Sequence, residues 1–217
     1  MDNQYQLELR NITHRYDYRT VLSVDHLQIE KGKIYALVGP NGSGKTTLGL
    51  SIIGLVEYHK GNIEFSGQRL KGLTEATWRS IRQEMSMMFQ DPVASLSPRR
   101  TARSLVLEPF EIHKILNIDM DQEAERLFSM VGLSGAFYGR YPHELSGGQA
   151  RRVGVARALA LSPRLIIADE PTAGLDVSVQ GEILNLLGEL QREFRLSYLI
   201  ISHNLPVVRH ISDKLAI

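Results

Sequence analysis

Hydrophobic positions follow three rhythms along the chain, and each predicts a different kind of element. In the opening segments "QLELRNITHRY" and "TVLSVDHLQIE" apolar and polar residues alternate, the pattern of antiparallel strands with one face in water. "KIYALVG", "RLIIADE" and "SYLIISH" are instead unbroken apolar runs that end in polar residues. Such runs read as central strands buried on both faces, and the carboxyl ends of such strands are where open α/β sheets bind ligands. Helical spacing separates these runs, so the expected class is α/β with a largely parallel sheet. Between residues 91 and 145 no comparable strand occurs; "ARSLVLEPFEIHK" and "DQEAERLFSMVGL" carry apolar faces at helical spacing. The organisation read from the pattern is a core of residues 1–90 and 146–217, with a helical insertion over 91–145.

Composition narrows the function classes. The chain has 217 residues, 43% of them hydrophobic, enough for one packed domain with an inserted subdomain. Lysine plus arginine (25) nearly balances aspartate plus glutamate (24), so there is no global basic field for a nucleic-acid polyanion, and none is expected as a partner. Any anion must be gripped locally. Cysteine is absent, which excludes a disulfide framework or a thiolate metal site and fits a reducing compartment. The first residues contain no apolar signal core, and no run reaches the roughly eighteen apolar residues of a membrane span. The expected location is cytosolic.

The first chemical motif is "GPNGSGKT", placed between the strand "KIYALV" and the helical "TLGLSIIGL". It matches G-x-x-x-x-G-K-[ST] in the strand-to-helix context that phosphate binding requires. The backbone from Gly39 through Pro40, Asn41, Gly42, Ser43 and Gly44 would curl its N–H groups around phosphates, and Thr47 lies at the following helix start. Lys45 would reach the β- and γ-phosphates, and Thr46 would give its hydroxyl oxygen to Mg²⁺. The second motif, "RLIIADEPT", delivers Asp169 and Glu170 at a strand end. Asp169 suits a hold on Mg²⁺ and Glu170 suits activation of the attacking water.

Three single residues complete the candidate site. Gln90, after the apolar "MSMMF", is placed to contact Mg²⁺ and the attacking water, although a lone glutamine at a strand end is ordinarily a surface residue. His203 ends "SYLIISH" and could bond the γ-phosphate; an isolated histidine at an element end is more often structural. Tyr16 precedes the phosphate loop and could stack on a nucleobase, with Tyr18 as a competitor and packing at a sheet edge as the alternative.

The stretch "HELSGGQARRVGVARALA" has helical apolar spacing only after Gln149, and its front end is a knot of small residues. Glycines at a helix start imply that the backbone approaches something closely. "LSGGQ", taken with the phosphate loop, Gln90, "LIIADEP", "AGLD" and "SHN" in order and spacing, resembles the nucleotide-binding subunit of ABC transporters. The resemblance covers nearly the whole chain. It implies a P-loop NTPase (RecA-like) core with an N-terminal antiparallel β subdomain and an inserted α-helical subdomain, with ATP and Mg²⁺ as ligands.

It further implies that two such domains pair head to tail, each ATP lying between one phosphate loop and the partner's signature, Ser146, Gly147, Gly148 and Gln149. By the same resemblance Tyr16 stacks on adenine, Gln90 links the site to the membrane subunit, Asp176 communicates across the pair, Glu170 is the general base and His203 the switch. The implied partners are a second ATPase subunit, identical or paralogous, transmembrane permease subunits and an extracytoplasmic solute-binding protein. The chain would act peripherally at the cytoplasmic face of the membrane.

"FQDPVASLSPRRT" and "LDVSVQGEILNLLGELQ" resemble the oligopeptide, dipeptide and nickel importer ATPases, which puts Asp91, Pro92 and residues 95–100 in the permease-contacting region. Ala173 stands where the family usually has serine, Ser97 where the subgroup has asparagine, and Ala150 where a polar residue follows the signature. Family subunits continue beyond "ISDKLAI", so the expectation is a trimmed C-terminal end. Soluble ABC-type ATPases acting on ribosomes or nucleic acid, and degenerate cassettes, are the alternatives. The former usually carry two cassettes or a long coiled coil, and the intact Lys45, Asp169, Glu170 and His203 speak against the latter.

Overall fold

A computed structural model describes residues 4–91, 95–115 and 117–217. The alternating segments form β1 (Tyr5–Tyr16) and β2 (Arg19–Glu30), which pair antiparallel. With β4 (Lys60–Phe65) and β5 (Gln68–Arg69) they make a four-stranded sheet of order β2-β1-β4-β5. The unbroken runs form β3 (Ile34–Val38), β7 (Leu165–Asp169) and β8 (Ser197–Ser202). Joined by β6 (Met85–Met88) and β9 (Lys214–Ala216), they make a parallel five-stranded sheet of order β6-β7-β8-β3-β9.

The pleat of the parallel sheet divides its side chains between two cores. Leu165 and Ile167 of β7 and Leu199 and Ile201 of β8 pack with Leu7, Leu9 and Ile63 of the antiparallel sheet and with Leu48 and Ile52 of α1 (Lys45–Ile52). Ile166, Ala168, Tyr198 and Ile200 face the other way, into the helices. Burial on both faces is why these strands carry no polar alternation.

The helices on that second face include α3 (Ala102–His113), α4 (Met120–Met130), α5 (Gly147–Leu159) and α6 (Val177–Phe194). Leu105 and Phe110 of α3, Leu127 and Phe128 of α4 and Val153 of α5 belong to the same apolar cluster as the sheet face. Helices, two short 3₁₀ turns (Gly135–Phe137 and Pro142–Glu144) and connecting turns fill the described part of 91–145. Side-chain caps start them: Thr101 Oγ1 accepts from Ser104 N at 3.4 Å and Asp119 Oδ1 from Asp121 N at 2.9 Å. The short helices α2 (Glu75–Glu84) and α7 (Leu205–Ile211) complete the chain.

Candidate nucleotide site

The carboxyl ends of β3, β6, β7 and β8 lie at one end of the parallel sheet, and the loops that leave them converge there. A cleft of ≈ 480 Å³ opens at that end, lined by Asn41, Gly42, Gly44, Lys45, Thr46, Thr47, Gln90, Asp169, Glu170 and His203, with Val21 at its rim. Gly39, Pro40 and Ser43 lie within the loop without lining the cleft. One concavity thus joins the phosphate loop, both acidic residues, the glutamine and the histidine.

Glycine is required in this loop for a local reason. Gly44, immediately before α1, has φ 92°, and a Cβ there would lie 2.4 Å from the Val21 carbonyl oxygen. Only a residue without a side chain fits both the left-handed backbone and that approach. Lys45 Nζ donates to the Gly39 and Pro40 carbonyls at 2.8 Å each, so its charge is already held over the loop that would receive a phosphate.

Thr46 Oγ1 donates to Asp169 Oδ2 at 2.7 Å. Asp169 is buried, and burial pushes its carboxyl above the ordinary carboxylate range; the Thr46 hydrogen bond and Lys45 oppose this while Glu170 adds to it. A costly buried anion beside a hydroxyl oxygen is a donor set that fits a hard divalent cation. Thr46, Asp169 and the Gln90 amide oxygen are the groups that could hold Mg²⁺, and all three line the cleft.

Glu170 follows β7 in left-handed backbone, φ 47°, its N–H donating to the Ile201 carbonyl at 2.8 Å. For a non-glycine residue that conformation is strained, and strain of this kind persists where surroundings over-determine it. Its Oε1 accepts from His203 N at 3.0 Å and lies 2.5 Å from His203 Nδ1, and its Oε2 accepts from Ser202 Oγ at 3.2 Å. A carboxylate only accepts, so Nδ1 carries the hydrogen toward Glu170 and Nε2 faces away from it. His203 is otherwise exposed and lines the cleft.

The signature residues lie elsewhere. Ser146 Oγ accepts from Gln149 N at 3.2 Å and Gln149 Oε1 accepts from Ser146 N at 2.9 Å, a capping box that starts α5. A Cβ on Gly148 would lie 2.9 Å from Val179 Cγ1, so its close neighbour within the chain is the start of α6. Ser146 to Gln149 and Asp176 line a second concavity of ≈ 510 Å³, which shares no residue with the phosphate-loop cleft. Asp176 precedes α6 and its side chain caps nothing. Tyr16 ends β1, and its side chain is outside the described residues; Tyr18 is fully exposed. Pro92 is likewise outside the described residues, whereas Asp91 is exposed at the edge of the site.

Sequence reasoning missed Arg151. Its side chain is 2% exposed, and its Nη1 and Nη2 donate to the Gln90 carbonyl at 3.2 Å and the Ala173 carbonyl at 2.9 Å. Two consecutive arginines at a helix start read as surface charge, and only three-dimensional packing distinguishes them. A groove of ≈ 190 Å³ between α2, β6, α3 and α5 was also missed; Arg82, Phe89, Ile112, His113, Arg151 and Arg157 help to line it. Its residues come from four elements, so no single stretch announces it.

Comparison with known proteins agrees with the geometry. The family model described as ABC transporter matches residues 22–173. The chain is 46% identical to the oligopeptide transport ATP-binding protein AppF of Bacillus subtilis, over 97% of this chain and 68% of that one. It is 42% identical to the oligopeptide transport ATP-binding protein OppF of Escherichia coli, over 92% of this chain and 61% of that one. It therefore spans about two thirds of the length of these relatives. The ATP-binding cassette MJ0796, solved as a dimer in a post-hydrolysis state with ADP and Pi, superposes with a TM-score of 0.86 at 28% identity, over 96% of this chain and 92% of that one. By its fold, its converging loops and these likenesses, the chain belongs to the ABC transporter family, as one of its ATPase cassettes.

Proposed function

We propose that the chain powers import of a short peptide or a related small solute, by binding and hydrolysing Mg²⁺-ATP between its phosphate-loop cleft and the signature of a second cassette. The observation that carries this reading is the separation of two half-sites. Lys45, Thr46, Asp169, Glu170, Gln90 and His203 share one cleft, and Ser146 to Gln149 with Asp176 line another. A head-to-tail pair would place one half-site against the other and leave neither helix terminus without an anion.

In that arrangement Lys45 exchanges its loop carbonyls for phosphate oxygens, and Tyr16 stacks on the base. Mg²⁺ held by Thr46, Asp169 and Gln90 supplies charge neutralisation at the phosphates. Glu170 polarises the attacking water, and its orientation is fixed by Ser202 and the His203 backbone. His203 would reach the γ-phosphate through Nε2, the ring nitrogen turned away from Glu170. Binding closes the pair and hydrolysis reopens it.

The groove beside Gln90 supports a permease partner. Phe89 and Ile112 leave apolar surface exposed in it, and the Arg82 and Arg157 that line it are paired to Glu75 and Glu108. That chemistry suits an apolar cytoplasmic segment. No helix among the described residues is long and apolar enough to cross a membrane. AppF and OppF are named for oligopeptide transport and the Escherichia coli relative GsiA, 41% identical, for glutathione import. Peptide-like solutes unite these names, and an extracytoplasmic binding protein would deliver them.

The test is affinity purification of Glu170→Gln from native membranes with ATP and Mg²⁺. Loss of the base traps the closed state, and two multi-span permeases with a second cassette are expected to stay bound. Recovery of ribosomes or nucleic acid without membrane protein would overturn the transporter reading.

A further inference from the structure

Arg151 is a buried cation with no ion pair at hydrogen-bond range among the described residues. Its Nε finds no acceptor there, and Asp91 acts on it only through the field. Burial lowers the guanidinium's proton affinity, with Asp91 opposing. Removing a guanidinium from water is expensive unless its surroundings answer it. An ordinary core position would be filled by an apolar side chain, so the two carbonyls that Arg151 grips, and what they belong to, are informative.

One of these carbonyls is Gln90's, in the segment that forms one wall of the nucleotide cleft. The other is Ala173's, in the turn after Glu170, whose N–H in turn donates to the Glu170 carbonyl at 3.1 Å. One guanidinium therefore spans the wall that carries Gln90 and the turn that carries the general base. The same side chain also lines the groove beside α3, on the other side of the Gln90 segment. Arg151 sits on α5, the helix that begins with the signature.

Building on the proposed ATPase reading, we infer that Arg151 is a positioning residue: it ties the Gln90 segment to the Glu170–Ala173 turn, and through its face on the groove it links groove occupancy to turnover. Arginine suits the task because its planar fork reaches two carbonyls at once, which an ammonium does not do with the same rigidity. The nucleotide itself is gripped by the phosphate loop, which Arg151 does not touch, so binding and turnover separate.

The experiment compares Arg151→Met, Arg151→Gln and Arg151→Lys in the complex recovered from membranes through a tag on this chain. Because the chain has no cysteine, a nitroxide on Phe89→Cys reports the Gln90 segment alone within it. Amide exchange at Ala173 and Leu175 reports the turn. Arg151→Met and Arg151→Gln are expected to loosen both segments together and to lower kcat by roughly 10- to 100-fold while KM for ATP stays within about twofold. Arg151→Lys should fall between, and the loss of thermal stability in Arg151→Met should be modest, because removing a buried charge offsets part of the cost of leaving the Gln90 and Ala173 carbonyls without this donor.

A label and exchange rates unchanged from the parent would overturn the tie. Loosened segments with undiminished kcat, or kcat and KM both failing in step with thermal stability, would overturn the positioning role. Absence of turnover in the parent complex would count against the ATPase reading instead, and the label and exchange would still decide the tie.

Discussion

Burial holds the Asp169 carboxyl above the ordinary carboxylate range, and Glu170 beside it adds to the effect, against Thr46 and Lys45. A carboxyl whose folded pKa exceeds its unfolded value, about 3.9, is stabilising when protonated and destabilising when ionised. Asp169→Asn, which keeps an acceptor for Thr46, is therefore expected to raise the melting temperature of the nucleotide-free chain at pH 7. A gain of about 1 kcal/mol corresponds to about 2–4 °C in a chain of this size. The gain should shrink as pH falls toward the unfolded value, and ATPase activity should drop by about 100-fold or more with loss of the proposed Mg²⁺ ligand. Calorimetry across pH, with turnover assays, checks both parts; a lower melting temperature at pH 7 would show that the buried charge is already answered.

His113 works with the opposite sign. Burial, then Arg79 and Arg82, lower its pKa, so the folded chain disfavours the imidazolium. Stability is unaffected well above the unfolded value of about 6.5 and declines as pH falls through it, because the unfolded chain takes up the proton first. His113→Gln should flatten the acid limb of the stability profile between about pH 6.5 and 5 and leave pH 8 nearly unchanged, read by urea denaturation. At this scale the sequence exposed Lys45, Thr46, Asp169 and Glu170, because each sits in a short contiguous motif at the end of a buried strand, even though the partners of Thr46 and Glu170 lie far along the chain. It hid Arg151 and His113, whose surroundings come from distant elements.

Each element begins with a local rule and ends with a tertiary one. The phosphate loop was legible because a strand, a glycine pattern and a helix start stand together, and Gly44 shows why: its backbone and its approach to Val21 both exclude a side chain. Gly44→Ala is expected to weaken ATP binding by at least about tenfold and to destabilise the fold, since overpacking and left-handed backbone each carry a penalty of about 1–3 kcal/mol. Titration with a fluorescent nucleotide measures the binding. The signature's glycines pointed outward by motif, yet Gly148 also meets Val179 inside the chain. Gly148→Ala should therefore destabilise by about 1–3 kcal/mol, and Val179→Ala in the same chain should recover most of it. Failure of the second substitution to restore the melting temperature would place the strain elsewhere.

At the scale of the molecule, alternation and unbroken apolar runs predicted both sheets, because burial of one or two faces dictates those patterns. They did not predict the strand order or the groove, which depend on crossovers and on contacts between α3 and the sheet edge. On the proposed reading, no one subunit completes the nucleotide site. The cleft and the signature concavity share no residue: the cleft, at the start of α1, holds a lysine and a histidine that the concavity, at the start of α5, lacks.

The most direct test uses ATP carrying a photoreactive group on the γ-phosphate, trapped with Mg²⁺ in the Glu170→Gln complex and mapped by peptide sequencing. A composite site predicts label on the peptide containing Ser146 to Gln149, in addition to the phosphate-loop cleft, whether the second cassette is identical or a paralogue. It also predicts loss of the signature label when the chain is separated from its partners. Label confined to the phosphate-loop cleft under closed conditions would contradict the account.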